Sequence, residues 1–201
     1  MKKLISLLIP FVLSGLASSV SFAAETRYCD DMARVNNFPH LSSDQFARHL
    51  EAKGSVDRIL VSKARRELYL LKDDVVLKTY HVAFGMDPLG GHKQFEGDSK
   101  TPEGIYTIDG KNPNSAYYLS LHVSYPNAAD VAFAKSRGRS PGGNIMIHGF
   151  PVIPAKHIQV QQIHPLDWTA GCIAVTDKEI NEIYSLVKEK TTIEICKYRD
   201  N

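Results

Sequence analysis

The sequence of 201 residues carries little net charge and has no long apolar run after its N-terminal segment. It has 24 Lys and Arg against 22 Asp and Glu, which gives a formal net charge of +2. So small an excess gives no electrostatic reason to expect nucleic acid as a partner. The lack of internal repeats, low-complexity tracts and a second apolar segment indicates one folded domain without a permanent membrane span.

The N-terminal segment has the pattern of an export signal. Two lysines open the chain, and an apolar run over 4–13 follows. Ser21 and Ala23 then place small residues at the two positions that a signal peptidase reads. We predict a signal peptide over 1–23 and a mature protein, formally uncharged overall, in the periplasm or otherwise exported to the cell envelope. An uncleaved membrane anchor is the alternative, and the absence of a cysteine at the cleavage point argues against a lipoprotein anchor.

Cysteine is scarce, with only Cys29, Cys172 and Cys196 in the chain. Paired cysteines are stable in an oxidising space, and an odd count leaves one unpaired or catalytic. Cys29 lies near the predicted mature N-terminus and Cys196 near the C-terminus, so a bond between them would tie the two ends together. We predict a Cys29–Cys196 disulfide that leaves Cys172 free. The alternative is that all three are reduced.

The spacing of apolar residues predicts a mainly β domain that follows a helical extension. Ser42 and Gln45 have the spacing of a capping box for a short helix ending at Gly54, inside an N-terminal extension over 24–56. Short apolar runs between polar or glycine-rich stretches then indicate a closed or sandwiched sheet. We place one domain over 57–196 and a C-terminal tail over 197–201. The predicted strands cover 58–62, 67–72, 75–84, 105–108, 118–123, 144–148, 172–175 and 191–196.

Two helices are predicted inside this domain. One covers 127–135, and the other follows a capping box formed by Thr176 and Glu179, with apolar residues at helical spacing up to Val187. Along the strand over 75–84, alternation predicts that four side chains share one face: Val76, Tyr80, Val82 and Phe84.

Two residues at strand ends could carry chemistry. His148 closes an apolar strand and is followed by Gly149, whereas Cys172 follows Gly171 at the start of another strand. A free thiol is mostly protonated at neutral pH, and a neighbouring imidazole can accept its proton. The spacing alone leaves open that the histidine is structural and that the cysteine is a buried apolar residue.

These residues resemble the catalytic domain of the L,D-transpeptidases, the YkuD-type family, over about 57–196. The family pattern is a histidine-glycine pair followed by Ser/Thr-x-Gly-Cys and an apolar residue, which here is His148-Gly149 and then 169–173. The segment 97–106 resembles the family's Gly-Asp-x-x-Thr-Pro-x-Gly-x-Tyr. The segments 80–85 and 142–149 resemble the strand before it and the approach to the histidine.

The resemblance implies a β-sandwich-like fold with a few short helices, a peptidoglycan substrate and no cofactor. Cys172 would attack the carbonyl before the terminal D-alanine of a stem tetrapeptide, with His148 as general base and acid. A neighbouring stem amine would resolve the thioester and form a 3-3 crosslink. The amides of Gly171 and Cys172 are candidates for the oxyanion hole, and Thr169 is expected to orient His148.

The substrate-binding residues implied by the resemblance are Gly149, Trp168 and Ala170, although Trp168 could instead pack a lid. Many family members have histidine or arginine where this chain has Ala170, and arginine where it has Ala174. The missing guanidinium removes a bidentate partner for a substrate carboxylate. Substrate choice is therefore less constrained by the motif than the chemistry is.

The stretch over 150–168 is longer than the family pattern predicts between the histidine and the cysteine. We interpret it as a lid or wall over the cleft, with an inert surface loop as the alternative. His157 and His164 lie in this stretch, but their spacing from His148 matches no common zinc motif, so we expect no metal.

Three functions remain open from the sequence. The first is the transpeptidase. The second is a hydrolase at the same site, either an L,D-carboxypeptidase or an amidase that releases a wall-bound lipoprotein. The third is a non-catalytic wall-binding domain, against which the histidine and the cysteine argue. The expected partners are peptidoglycan stem peptides and, for the amidase, a wall-anchored lipoprotein.

Overall fold

The computed structural model describes residues 39–88 and 90–197. The predicted signal peptide, Cys29 and most of the predicted tail lie outside these residues. Within them no helix is long and apolar enough to cross a membrane. The helices are α1 (Ser43–Lys53), α2 (Ala128–Ser136), α3 (Pro154–Ile163) and α4 (Asp177–Leu186), and the strands are β1 (Arg58–Ser62), β2 (Glu67–Lys72), β3 (Val75–His81), β4 (Gly104–Ser115), β5 (Tyr118–Val123), β6 (Met146–His148), β7 (Ile173–Ala174) and β8 (Thr192–Cys196).

The strands form one sheet in the order β3-β2-β1-β8-β4-β5-β6-β7. Most neighbours are antiparallel, but β1 pairs in parallel with β8, and β6 pairs in parallel with β7. The segment that follows β3 meets β7 at the other end of this order, because the Ala83 and Ala174 amides each donate to the other's carbonyl, at 2.9 and 2.8 Å. The sheet is therefore curled upon itself, and the predicted mainly β, sandwich-like fold is confirmed.

A single large apolar cluster fills the curled sheet. Every strand contributes buried apolar side chains, and the short strands β6 and β7 contribute one each, Ile147 and Ile173. Helix α4 adds Ile180 and Ile183, whereas α1 lies at the edge through the partly buried Phe46. Burial of this apolar surface is the main favourable term that holds β6 and β7 in place.

The capping boxes predicted from the sequence are present. In α1 the Ser42 amide donates to Gln45 Oε1 at 2.8 Å. In α4 the Glu179 amide donates to the Thr176 hydroxyl, and the Glu179 side chain accepts from the Thr176 amide. These contacts satisfy amide groups that the first turn leaves without a helical partner.

The strand predicted over 75–84 is regular only over Val75–His81, and two further features differ from the sequence analysis. A β-bulge shifts the register between Leu70 and Leu71 opposite β3. Val76 consequently joins a small second cluster on the other side of the sheet, while Tyr80, Val82 and Phe84 lie in the main core. The stretch over 150–168 contains helix α3, which the sequence pattern did not show, because only Val160 of its residues is buried.

The cysteines differ in their bonding. Cys196, at the end of β8, is disulfide-bonded, whereas Cys172 is free. Cys29 lies outside the described residues, so its pairing with Cys196 stays a prediction.

Peptide mapping without reduction is expected to find Cys29 linked to Cys196 and Cys172 alkylated. A disulfide that closes so long a loop should stabilise the fold by at most roughly 4–5 kcal/mol, because it restricts the unfolded chain. Cys196→Ser should therefore lower the urea midpoint, and Cys172→Ser is the control that should not. A bond that includes Cys172 would contradict the assignment.

Candidate active site

His148 and Cys172 come together through the pairing of β6 with β7. Ile147 pairs with Ile173, and His148 pairs with Ala174. Cys172 immediately precedes β7 and lies two residues before Ala174. The pairing therefore brings Cys172 next to the strand that carries His148.

The ring of His148 is held in one orientation. Its Nδ1 lies 2.7 Å from the Gly149 carbonyl oxygen, which can only accept a hydrogen bond, so Nδ1 carries the proton. Tyr117 packs on the ring at 4.5 Å between centroids, and Trp168 meets it edge-on at 5.6 Å. These contacts leave the Nε2 lone pair as the proton-accepting atom.

Burial sets the protonation of both groups. The pKa of His148, whose residue is 3% exposed, falls from 6.5 to about 4, although the hydrogen bond to Gly149 opposes the shift. Burial also raises the pKa of the Cys172 thiol, while a hydrogen bond from the Met146 amide and the charge of Lys93 lower it. Desolvation thus favours an uncharged imidazole and an uncharged thiol at neutral pH.

The Cys172 side chain is half-buried and donates through Sγ to the Asn144 carbonyl oxygen at 3.5 Å. Asn144 has φ of 54°. This left-handed conformation is tolerated by asparagine better than by most residues, and the regular strand begins at Met146 rather than at Asn144 as predicted.

A tight turn before Cys172 depends on Thr169 and Gly171. The Thr169 hydroxyl accepts from the Gly171 amide at 3.1 Å and donates to the Cys172 carbonyl at 2.8 Å. Gly171 has φ of +134°, and a Cβ there would lie 2.6 Å from the Lys100 carbonyl oxygen. The turn therefore requires glycine both for its backbone conformation and for the close approach of the loop before β4.

A cavity of about 230 Å³ opens beside the thiol on the side of the glycine-rich loops. Its walls come from three loops that converge on Cys172. The lining residues are Lys93, Glu96, Gly97, Gly142, Gly143, Asn144, Ile145, Ala170 and Cys172.

Comparison with known proteins identifies the family of the chain. The family model for the L,D-transpeptidase catalytic domain, YkuD, matches residues 56–195, which is more than half of the chain. The chain belongs to the YkuD L,D-transpeptidase family.

Relatives of this family resemble the chain over part of their length. The "Putative L,D-transpeptidase YafK" of Escherichia coli K12 is 33% identical over 99 residues, which cover 48% of this chain and 32% of that protein. A mutant of the helical cell shape determining protein Pgp2 from Campylobacter jejuni has a TM-score of 0.50 and 24% identity, over 79% of this chain and 57% of that chain. The second likeness shows the fold alone, and the chain spans less than two thirds of either relative.

The other residues expected at this YkuD-family site have different surroundings. Gly149 is buried, and a Cβ there would lie 2.6 Å from Asp177 Oδ1. Glycine is therefore needed at this position for close packing, and it does not form part of a surface open to a substrate. Trp168 is half-buried against His148, and Ala170 is exposed on the cavity wall. The Thr169 hydroxyl bonds to the turn around Gly171, as described above, rather than to the imidazole.

The stretch over 150–168 is attached to the body of the domain at both ends. The Phe150 amide donates to Asp177 at 2.7 Å, and Asp167 accepts from the Phe84 amide at 2.8 Å. His157 and His164 pack edge-on against the Phe150 ring. No group of metal-binding side chains occurs among residues 39–88 and 90–197. Trp168, at the end of this attached stretch, forms part of a wall beside His148.

Sequence reasoning assigned no site role to Tyr117 and Lys93. The ring of Tyr117 packs against His148 while the residue remains 40% exposed. Lys93 lies just outside the segment over 97–106 that resembles the family, and no motif includes it. Asp98, inside that segment, accepts hydrogen bonds from the amides of Gln94, Phe95 and Lys100.

Gly171→Ala should destabilise the domain by roughly 2–5 kcal/mol, because it adds a backbone clash to backbone strain. Gly138→Ala is the matched control, since Gly138 has φ of +64° with nothing within 4 Å of its Cβ position. The control should cost only about 1 kcal/mol. Urea unfolding measures both, and equal losses would show that the contact with Lys100 is unimportant.

The depressed pKa of His148 predicts a pH-dependent stability. Between about pH 6.5 and pH 4 the unfolded chain binds the proton that the folded chain excludes, so stability falls as the pH falls. Relative to pH 8, this histidine should cost about 2.5 kcal/mol at pH 4.5. Urea unfolding of wild type and His148→Gln at both pH values isolates the effect, and parallel losses in the two proteins would contradict it.

Proposed function

We propose that this chain is an exported peptidoglycan L,D-transpeptidase with Cys172 as nucleophile and His148 as proton acceptor and donor. The arrangement that supports this most is a buried imidazole with its Nδ1 proton fixed on Gly149, on the strand adjacent to a free thiol. Membership of the YkuD family supports the same chemistry. The predicted signal peptide supports export, and stem peptides are the proposed partners.

In the first half-reaction, the thiol turns from the Asn144 carbonyl and transfers its proton to His148 Nε2 as Sγ attacks. The carbonyl attacked lies between the third stem residue and the terminal D-alanine. Its oxygen becomes an anion, for which the Cys172 amide is the proposed donor, since the Gly171 amide already donates to Thr169. The carbon–nitrogen bond then breaks, and D-alanine leaves with the proton from His148.

In the second half-reaction, an amine of a neighbouring stem attacks the thioester. His148 accepts the amine proton and returns a proton to the departing sulfur, which regenerates the thiol. An uncharged imidazole suits both half-reactions, because each begins with proton acceptance. If water reaches the thioester instead, the same residues give a carboxypeptidase when D-alanine is the leaving group, or an amidase when the leaving amine belongs to a wall-bound lipoprotein.

Purified protein incubated with disaccharide-tetrapeptide should gain the mass of the acyl group on Cys172 and release D-alanine. Intact-protein mass spectrometry detects the thioester, and chromatography identifies the product. A crosslinked dimer supports the transpeptidase and a tripeptide supports the carboxypeptidase. With a lipoprotein-linked wall as the substrate, release of the lipoprotein supports the amidase.

Variants separate the two proposed roles in this assay. Cys172→Ala should give no thioester, and His148→Gln should slow acylation by about 10² or more, because the thiol loses its proton acceptor. His157→Gln is the matched control, since His157 packs against Phe150 in the wall and should keep acylation near that of wild type. A fully folded wild type that no wall peptide acylates would favour the non-catalytic wall-binding domain.

A further inference from the structure

The cavity beside Cys172 contains a buried lysine that the proposed chemistry does not use. Lys93 is 3% exposed and lines this cavity together with Cys172. Ala170, in the wall of the same cavity, has only a methyl group as its side chain and so offers no hydrogen-bonding group. A charged side chain at such a depth is costly unless bonded, so its position calls for a physical reason.

The hydrogen bonds of Lys93 leave one donor unused. Its Nζ donates to the Phe95 carbonyl and to Asp98 Oδ1, both at 2.9 Å. An ammonium group has three donors and no acceptor. The described residues thus engage two of the three, and the third is available to a group that enters the cavity.

Asp98 does not cancel the charge of Lys93 completely. Besides Lys93, its carboxylate accepts from three backbone amides, those of Gln94, Phe95 and Lys100, at 2.7 to 3.1 Å. Burial opposes ionisation of Asp98, but the hydrogen bond from Lys93 and then those from the backbone amides stabilise the carboxylate and lower the pKa of Asp98. The remaining field of Lys93 extends to the neighbouring thiol, where its charge lowers the pKa of Cys172.

We propose that Lys93 binds a carboxylate of the substrate in the cavity beside Cys172. The inference deepens the proposed function and rests on it for the identity of the substrate. A space of about 230 Å³ accommodates one amino-acid-sized group rather than a long peptide. In a stem tetrapeptide whose third residue has a side-chain carboxylate, two carboxylates lie close to the bond that is cleaved: that of the terminal D-alanine and that of the third residue. Glu96, exposed on the same cavity, repels a carboxylate at its end and so directs it toward Lys93.

The charge can be tested without any enzymatic activity. Iodoacetate and iodoacetamide alkylate the same thiol and differ in one negative charge. Lys93→Met should lower the ratio of the iodoacetate rate to the iodoacetamide rate by about tenfold, because a charge-assisted hydrogen bond is lost. Lys63→Met is the matched control: Lys63 is also buried and ion-paired, with Glu103 at 2.8 Å, but it does not line the cavity.

The double variant Lys93→Met, Asp98→Asn guards against misfolding, because it leaves no unpaired buried carboxylate and keeps an acceptor for the loop amides. It should show the same fall in the ratio as the single variant. An unchanged ratio in a folded Lys93 variant, or an equal fall in the Lys63 control, would overturn the proposal.

Three tetrapeptides identify the carboxylate: one unmodified, one amidated at the terminal D-alanine, and one amidated at the side-chain carboxylate of the third residue. Wild type should lose about tenfold in kcat/KM for acylation with one amidated peptide. Lys93→Met should not distinguish that peptide from the unmodified one. Equal discrimination by wild type and variant would mean that Lys93 only shapes the loop. If wall peptides acylate no protein at all, the proposed function fails, while the alkylation ratio still decides the role of Lys93.

Discussion

The short parallel pairing of β6 with β7 is the constraint on which the site depends. Strand β7 has only two residues, too few to hold a position alone. Its other edge is fixed by the two hydrogen bonds between Ala83 and Ala174, so it lies between β6 and the chain that follows β3. The curling of the whole sheet thereby determines where the sulfur lies relative to the imidazole, and the aromatic wall and glycine turn adjust that position locally.

The sequence was informative where a local physical rule decides the outcome. Capping boxes at Ser42 and Thr176 and most of the strands followed from residue types at fixed spacing. The position of Cys172 near His148 was suggested by a family motif, whereas alternation and spacing alone gave no means of joining two strands separated by α3. The motif could predict this proximity because its residues come together in one particular fold, whereas local residue preferences do not depend on the fold.

The features that escaped prediction depend on contacts between distant segments. A bulge opposite Leu70 reversed the face of Val76, which no period within one strand can show. Helix α3 buries little, so its pattern is nearly uniform around its axis. Lys93 and Tyr117 reach the site through loop packing, and a lysine or tyrosine gives no sign in the sequence of which neighbour it will meet. Tertiary packing decided these cases over local propensity.

The wall beside His148 gives the protein an internal optical reporter. Trp168 is the single tryptophan of the chain, and its indole meets the His148 ring edge-on. Emission from the folded protein on selective excitation of tryptophan therefore comes from one place, next to the imidazole. Any event that alters this environment, such as arrival of a ligand, expulsion of water or formation of a thioester, changes the spectrum without a chemical label.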